Sequence, residues 1–260
     1  MGFFDLFKSK AAPEPTATAE PAPAPEPYLG DLTKTNTIFQ LVDVPPAARD
    51  DAWQDAFLAN LPAASFRCGT PQVITGPDGF PYFQLLLPEP NQSFQCYVLD
   101  RMKDDFLLRL GLGVVINPDR GQPDWVLTAG DVLNYALTGE FYTTAETPFS
   151  RQATDETIQE DEEVLVGQPN ETLLPAATRI VLRDFLTAHG VPDPKLALLM
   201  RHAKTGPAVA QDLVFNVVPD LFPDEATYRQ VMQRIGWYLP RHYSVVGMEE
   251  SALGDAFEAL

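Results

Sequence analysis

Apolar and polar positions along this chain follow one succession twice. In the first, a helix-like stretch near Ala47–Leu61 precedes a strand at Gln72–Thr75, the turn Gly76-Pro77-Asp78-Gly79 and a strand at Phe80–Leu87. Helical Ser93–Leu110 and the strand Gly113–Ile116 complete it. In the second, helix Pro175–His189 precedes strand Leu196–His202, the turn Lys204-Thr205-Gly206-Pro207 and strand Gln211–Val218. Helix Asp224–Leu239 and strand Tyr243–Met248 follow. Proline presets φ for a turn and glycine takes positive φ cheaply, so Gly76–Gly79 is a strong hairpin signal. Phe80–Leu87 is apolar on both faces, which predicts a strand buried on both sides rather than the edge of a wet sheet. Tyr228, Val231, Met232, Ile235 and Leu239 recur at helical spacing between Pro223 and Pro240, and that stripe must cover the second hairpin. The expected fold class is α+β: two small modules, each a short mixed or antiparallel sheet covered by helices.

Between and beyond these elements the pattern lapses. Residues 1–30 read as a disordered Pro/Ala-rich arm, since proline removes backbone donors and Ala, Glu and Thr bury little. The arm carries an apolar peptide in which Phe3, Phe4, Leu6 and Phe7 share one face of a short helix. Such a helix orders only on a partner, making it a candidate docking peptide for protein or, weakly, for a membrane surface. Residues 146–171 are rich in Asp and Glu and read as an acidic linker, with Val164-Leu165-Val166 docking locally. The expected domains are therefore 31–145 and 172–260. Leu253, Phe257 and Leu260 fit a short terminal helix capping the second core.

With 260 residues and 45% hydrophobic content, each half can bury a core of its own. Charge narrows the partners: 36 acidic residues oppose 18 basic ones, a formal net of -18. Nucleic acid is excluded as an expected partner, because phosphate binding depends on clustered Lys and Arg. Solubility is the plain reading of this charge, and a basic protein partner is the sharper one. No segment reaches the roughly 20 apolar residues that span a bilayer, and no secretory signal is evident, so a cytoplasmic location is expected. Cys68 and Cys96 then read as free thiols, Cys96 as a small core hydrophobe.

Candidate chemistry is sparse. His189, His202 and His242 each stand at the end of an element without Cys or carboxylates at ligand spacing, so neither a metal nor a cofactor is expected. Asp119, Asp124 and Asp131 form the best enzyme-like set, as loop carboxylates can hold a metal or act as general base. The same residues also suit turn and cap chemistry: Asn117-Pro118-Asp119-Arg120-Gly121 is an ordinary turn, and Asp131 stands at a helix start. Trp125, beside Asp124 and upstream of Tyr135, Phe141 and Tyr142, makes an aromatic-rich stretch suited either to a core or to a binding patch.

The segment Gly111-Leu-Gly-Val-Val-Ile-Asn117-Pro118, with Val126-Leu127-Thr128 and a helix Asp131–Leu137, resembles the N-terminal domain of the SseB-like (enhanced serine sensitivity) family. Pro175–Met248 is similar to that family's C-terminal domain in its order of helix, hairpin, helix and strand. Together the likenesses cover about Pro45–Leu137 and Pro175–Glu249. The N-terminal peptide, the acidic linker and Gly121-Gln122-Pro123-Asp124-Trp125 depart from the pattern, and the resemblance transfers no catalytic residue. The expectation is a non-enzymatic adaptor that binds another macromolecule. Two alternatives stand beside it: a hydrolase or metal-dependent enzyme using Asp119, Asp124 and Asp131, and an immunity protein against a basic toxin.

Overall fold

A computed structural model describes residues 29–149, 164–202 and 209–260 of the chain. The first half opens with helix α1 (Leu32–Val42), which Asp31 caps by accepting from Thr33 and Lys34 N–H. Helix α2 (Asp51–Asn60) is capped by Asp50 in the same way. Strands β1 (Arg67–Thr75) and β2 (Pro81–Leu86) pair antiparallel across the expected turn, where Gly79 takes φ +82°. Helix α3 spans residues 99–110, with π-helical Lys103–Leu107 between two α-helical ends. It stops at Gly111 in the left-handed conformation and feeds β3 (Gly113–Ile116), which lies parallel to β2. Strand β4 (Trp125–Leu127) pairs antiparallel with β3 and leads into helix α4 (Ala129–Thr138), giving the sheet order β1–β2–β3–β4.

The second half repeats the scheme. Helix α5 (Ala176–Ala188) precedes the antiparallel pair β6 (Lys195–His202) and β7 (Val209–Phe215). Helix α6 (Glu225–Ile235), capped by Asp224, crosses to β8 (Val245–Gly247), parallel to β7. Strand β5 (Val164–Gly167) and the short β9 (Glu258–Ala259) both pair with β6. The protein is thus α+β with two mixed sheets, and the run helix, hairpin, helix, parallel strand occurs in each half.

The cores depart from the expectation of one per half. One face of the first sheet, through Phe83, Leu85, Val114 and Ile116, buries against α1, α2 and α3. Its opposite face, through Tyr82 and Val115, joins a cluster with Leu182 of α5, Phe215 of β7, Ile235 of α6 and Trp237. Trp237 stacks on Phe80 at 4.2 Å and donates to the Tyr82 hydroxyl at 3.0 Å, so the largest cluster belongs to both halves. This is why Phe80–Leu87 is apolar on both faces. The outer face of the second sheet, with Ala197, Leu199 and Val214 beside Val164 and Val166 of the Val164–Gly167 strand, packs against Met248, Leu253 and Phe257.

Other differences have local causes. Helix α1 escapes the sequence pattern because its Thr and Asn residues blur the apolar stripe of Ile38 and Val42. The helix expected from Ser93 starts at Leu99: Tyr97 is extended and exchanges backbone bonds with Phe66 at 2.8 and 2.9 Å. Cys96 is half-buried rather than in the core, its Sγ facing the Leu29 carbonyl. The terminal segment forms 3-10 turns and β9 in place of a helix. At the ends of the acidic stretch, β5 is a sheet strand and Phe149 stacks on Tyr243 at 4.3 Å. The expectations for residues 1–28, including Phe3, Phe4, Leu6 and Phe7, for 150–163 and for the turn 204–207 lie outside the described residues. Among the described residues, no helix is long and apolar enough to cross a membrane.

Candidate functional site

The turn after β3 sets up the site. Asn117 adopts the left-handed conformation (φ +49°), which asparagine tolerates better than most residues. Its side-chain carbonyl accepts from Leu87 N–H at 3.0 Å, and its amide donates to Asp124 at 2.7 Å. The other oxygen of Asp124 accepts from Arg49 at 2.6 Å. Arg49 also donates to the carbonyls of Val42 and Val44 and lies 4.5 Å over the Trp53 ring. Turn, α1 and the start of α2 are thereby fixed around Trp125, whose ring rests 5.8 Å from both Trp53 and Phe57.

A second arginine closes the other side. Thr128 and Asp131 form a capping box at the start of α4, each side chain accepting from the other's backbone N–H. The fully buried Asp131 carboxylate also accepts both forks of Arg241, at 2.7 and 2.8 Å, from the segment after α6. The carboxylate holds the Arg241 pKa above its ordinary value. The guanidinium lies 4.4 Å over the Tyr142 ring, and Trp125 Nε1 donates to the Tyr142 hydroxyl at 3.2 Å. Burial, with the Asp131 charge, raises the Tyr142 pKa. Tyr135 stacks on Phe141 at 4.7 Å and donates to Asp100 at 3.1 Å.

Two clefts meet at this cluster. One, of about 520 Å³, is lined by Trp125, Val126, Phe141, Tyr142, Gln54 and Arg241, among others. The other, of about 260 Å³, includes Asp50, Asp51, Asp124, Gln54 and again Trp125. Of the residues singled out from sequence, Trp125, Phe141 and Tyr142 therefore line the larger cleft and Asp124 the smaller. Tyr135 lies behind Phe141. The three aspartates take separate places. Asp124 is committed to Arg49 and Asn117, Asp131 to its cap and Arg241, and exposed Asp119 lines a third pocket with Phe39 and Arg67. Among the described residues, no group of three His, Cys, Asp or Glu side chains could hold a metal ion. Sequence reading missed Arg49, Gln54 and Arg241. Nothing local marks them, since Arg241 meets a residue 110 positions away.

Substitutions at the Asp131–Arg241 pair should be asymmetric. Arg241→Ala leaves a buried carboxylate without its counter-charge and should cost about 2 kcal/mol, less than a fully buried pair because the guanidinium is largely exposed. Asp131→Asn keeps an acceptor for Thr128 and frees Arg241 to solvent, so about 1 kcal/mol is expected. Urea midpoints decide this, and equal losses would show that the carboxylate is not charge-dependent on Arg241.

His242, next along the chain, has its pKa lowered by burial. A histidine that binds its proton more weakly when folded destabilises the fold as pH falls below its unfolded value, near 6.5. Unfolding midpoints should fall between pH 7.5 and 5.5, and His242→Gln should reduce that fall. An unchanged pH profile in the variant would remove His242 as the cause. Comparison with known proteins found no matching family model, curated protein or solved structure.

Proposed function

We propose that this chain is a non-enzymatic, protein-binding adaptor of the cytoplasm, and that its recognition surface is the pair of clefts meeting at Trp125. The observation that carries this reading is an aromatic wall left open to solvent: Trp125 and Tyr142 are only half-buried, and Val126 beside them is 41% exposed. Tryptophan and tyrosine offer large contact area at low entropic cost, and the larger cleft falls within the size range of binding pockets. Its rim is already ordered by Arg49–Asp124 and Arg241–Asp131, so little ordering is left to the moment of binding. Resemblance to the SseB-like family belongs to the same proposal, supported by the repeated helix, hairpin, helix, strand order. The enzyme reading is weaker, because Asp124 and Asp131 are each engaged by an arginine and face different contacts.

A photo-crosslinking residue at position 126 tests the proposal in cells of the source organism. A discrete covalent adduct is expected, and it should vanish when Trp125→Ala is added. The same probe at exposed Leu221, in the other half, should give none. Equal labelling at the two positions, or none at 126, would overturn the reading.

A further inference from the structure

We propose that the groove takes an extended peptide bearing an arginine and, two residues along, a large aromatic or aliphatic side chain, laid across Trp125. This rests on the protein-binding reading above and adds the chemistry of the partner. Trp125 and Gln54 line both clefts and so stand between them, the indole forming the aromatic part of that ridge.

The two sides of the ridge differ in character. The smaller cleft carries Asp50 and Asp51, both exposed at the start of α2. Arg49, which lines it, is held by Asp124 at 2.6 Å, and Arg120 reaches the same carboxylate at 3.8 Å, so Asp50 and Asp51 leave the charge toward solvent negative. One Asp50 oxygen accepts from Trp53 N–H as the helix cap. Asp51, in the first turn, is the better partner for an incoming cation. The larger cleft presents Val126, Phe141 and Tyr142, with Arg241 bound on both forks by Asp131.

A guanidinium suits the acidic side better than an ammonium does. It can lie flat on the indole while its edge donates to a carboxylate. In an extended chain, side chains two residues apart share a face and are separated by about 7 Å, enough to place one on each side of a single indole. The net charge of -18 adds long-range attraction for a basic segment and repels an acidic one.

The test uses the full chain and labelled Gly/Ser peptides with Arg and Trp at positions i and i+2, read by fluorescence anisotropy. Matched peptides carry Glu for Arg, Ala for Trp, or the two side chains adjacent. The Arg–Trp peptide should bind at least about tenfold more tightly than its Glu counterpart, with affinity falling as salt rises. Asp51→Lys should reverse that preference, and Trp125→Ala should abolish binding while circular dichroism shows the fold retained. Equal affinity for Arg and Glu peptides, or indifference to Asp51→Lys, would overturn the proposal. So would concentration-dependent self-association that Trp125→Ala removes, because a second copy would then own the groove. If no peptide binds while the crosslink at 126 persists, the partner chemistry fails and the binding reading stands; loss of both would sink both.

Discussion

Replacing Gly130 by alanine is expected to lower the stability of the fold by about 3 kcal/mol or more, despite the better helix propensity of alanine. A Cβ built at Gly130 would stand 2.0 Å from the Leu239 carbonyl oxygen and 2.5 Å from its carbon. Those atoms are backbone and cannot swing aside, unlike the end of a long side chain. Propensity favours alanine by only about 1 kcal/mol, so the clash decides the sign. Glycine is required here for space: it lets the first turn of α4 press against the segment after α6, where the two halves meet. Relief would need Leu239 to move, and with it the neighbouring Trp237–Phe80 stack and Arg241. Urea unfolding of Gly130→Ala against the parent checks this. An unchanged or higher midpoint would show that the halves can separate freely at this point.

How much of this was legible in the sequence depends on whether a feature is local. The Gly76–Gly79 hairpin, α5, α6 and β3 announce themselves through turn chemistry, caps and periodicity, each contained within a few residues. Asp224, expected as the first helical residue after Pro223, is instead the cap of α6, and the Thr128–Asp131 box opens α4 two residues earlier than the periodicity alone would put it. What was illegible needed a partner far along the chain. The apolar double face of Phe80–Leu87 predicts burial on both sides, yet it cannot say that Trp237 supplies one of the covers. Asp131 reads as a cap, and its second bond to Arg241 has no local sign. Likewise β5 and β9 are ordinary short apolar or mixed stretches until β6 offers them an edge.

The candidate site divides along the same line. Trp125, Phe141 and Tyr142 were visible as an aromatic-rich stretch, because they are close in sequence. Their division of labour was not: Phe141 is buried at 5% exposure, while Trp125 and Tyr142 keep a face to solvent. The arginines that hold the rim came from outside the stretch, one before α2 and one after α6. A site assembled at the junction of the halves therefore depends on their packing. Anything that loosens that packing should loosen the groove as well.

Trp237→Ala should be the most damaging single truncation at that junction, costing about 3–5 kcal/mol. The indole is 8% exposed, stacks on Phe80 with an interplanar angle of 4° and meets Tyr82 edge-on at 5.6 Å. Truncation removes those contacts and leaves a cavity between the β2 face and the 3-10 turn Gly236–Tyr238, bordered by rigid strands that collapse poorly. The hydrogen bond is the smaller part of the effect. Tyr82 also donates to Asp78, so its hydroxyl keeps a partner when the indole N–H is lost. Trp237→Phe should accordingly cost only about 1 kcal/mol, retaining most of the ring contact. Because the cluster is shared, tryptophan fluorescence, which comes from Trp53, Trp125 and Trp237 in the parent and from the first-half Trp53 and Trp125 alone in Trp237→Phe, should report one transition coincident with the far-ultraviolet dichroism of the whole chain in both proteins. In Trp237→Ala the first-half fluorescence should shift to lower denaturant together with the dichroism. A first half that keeps its parental midpoint in Trp237→Ala would mean that the cluster uniting the halves contributes nothing to holding it folded.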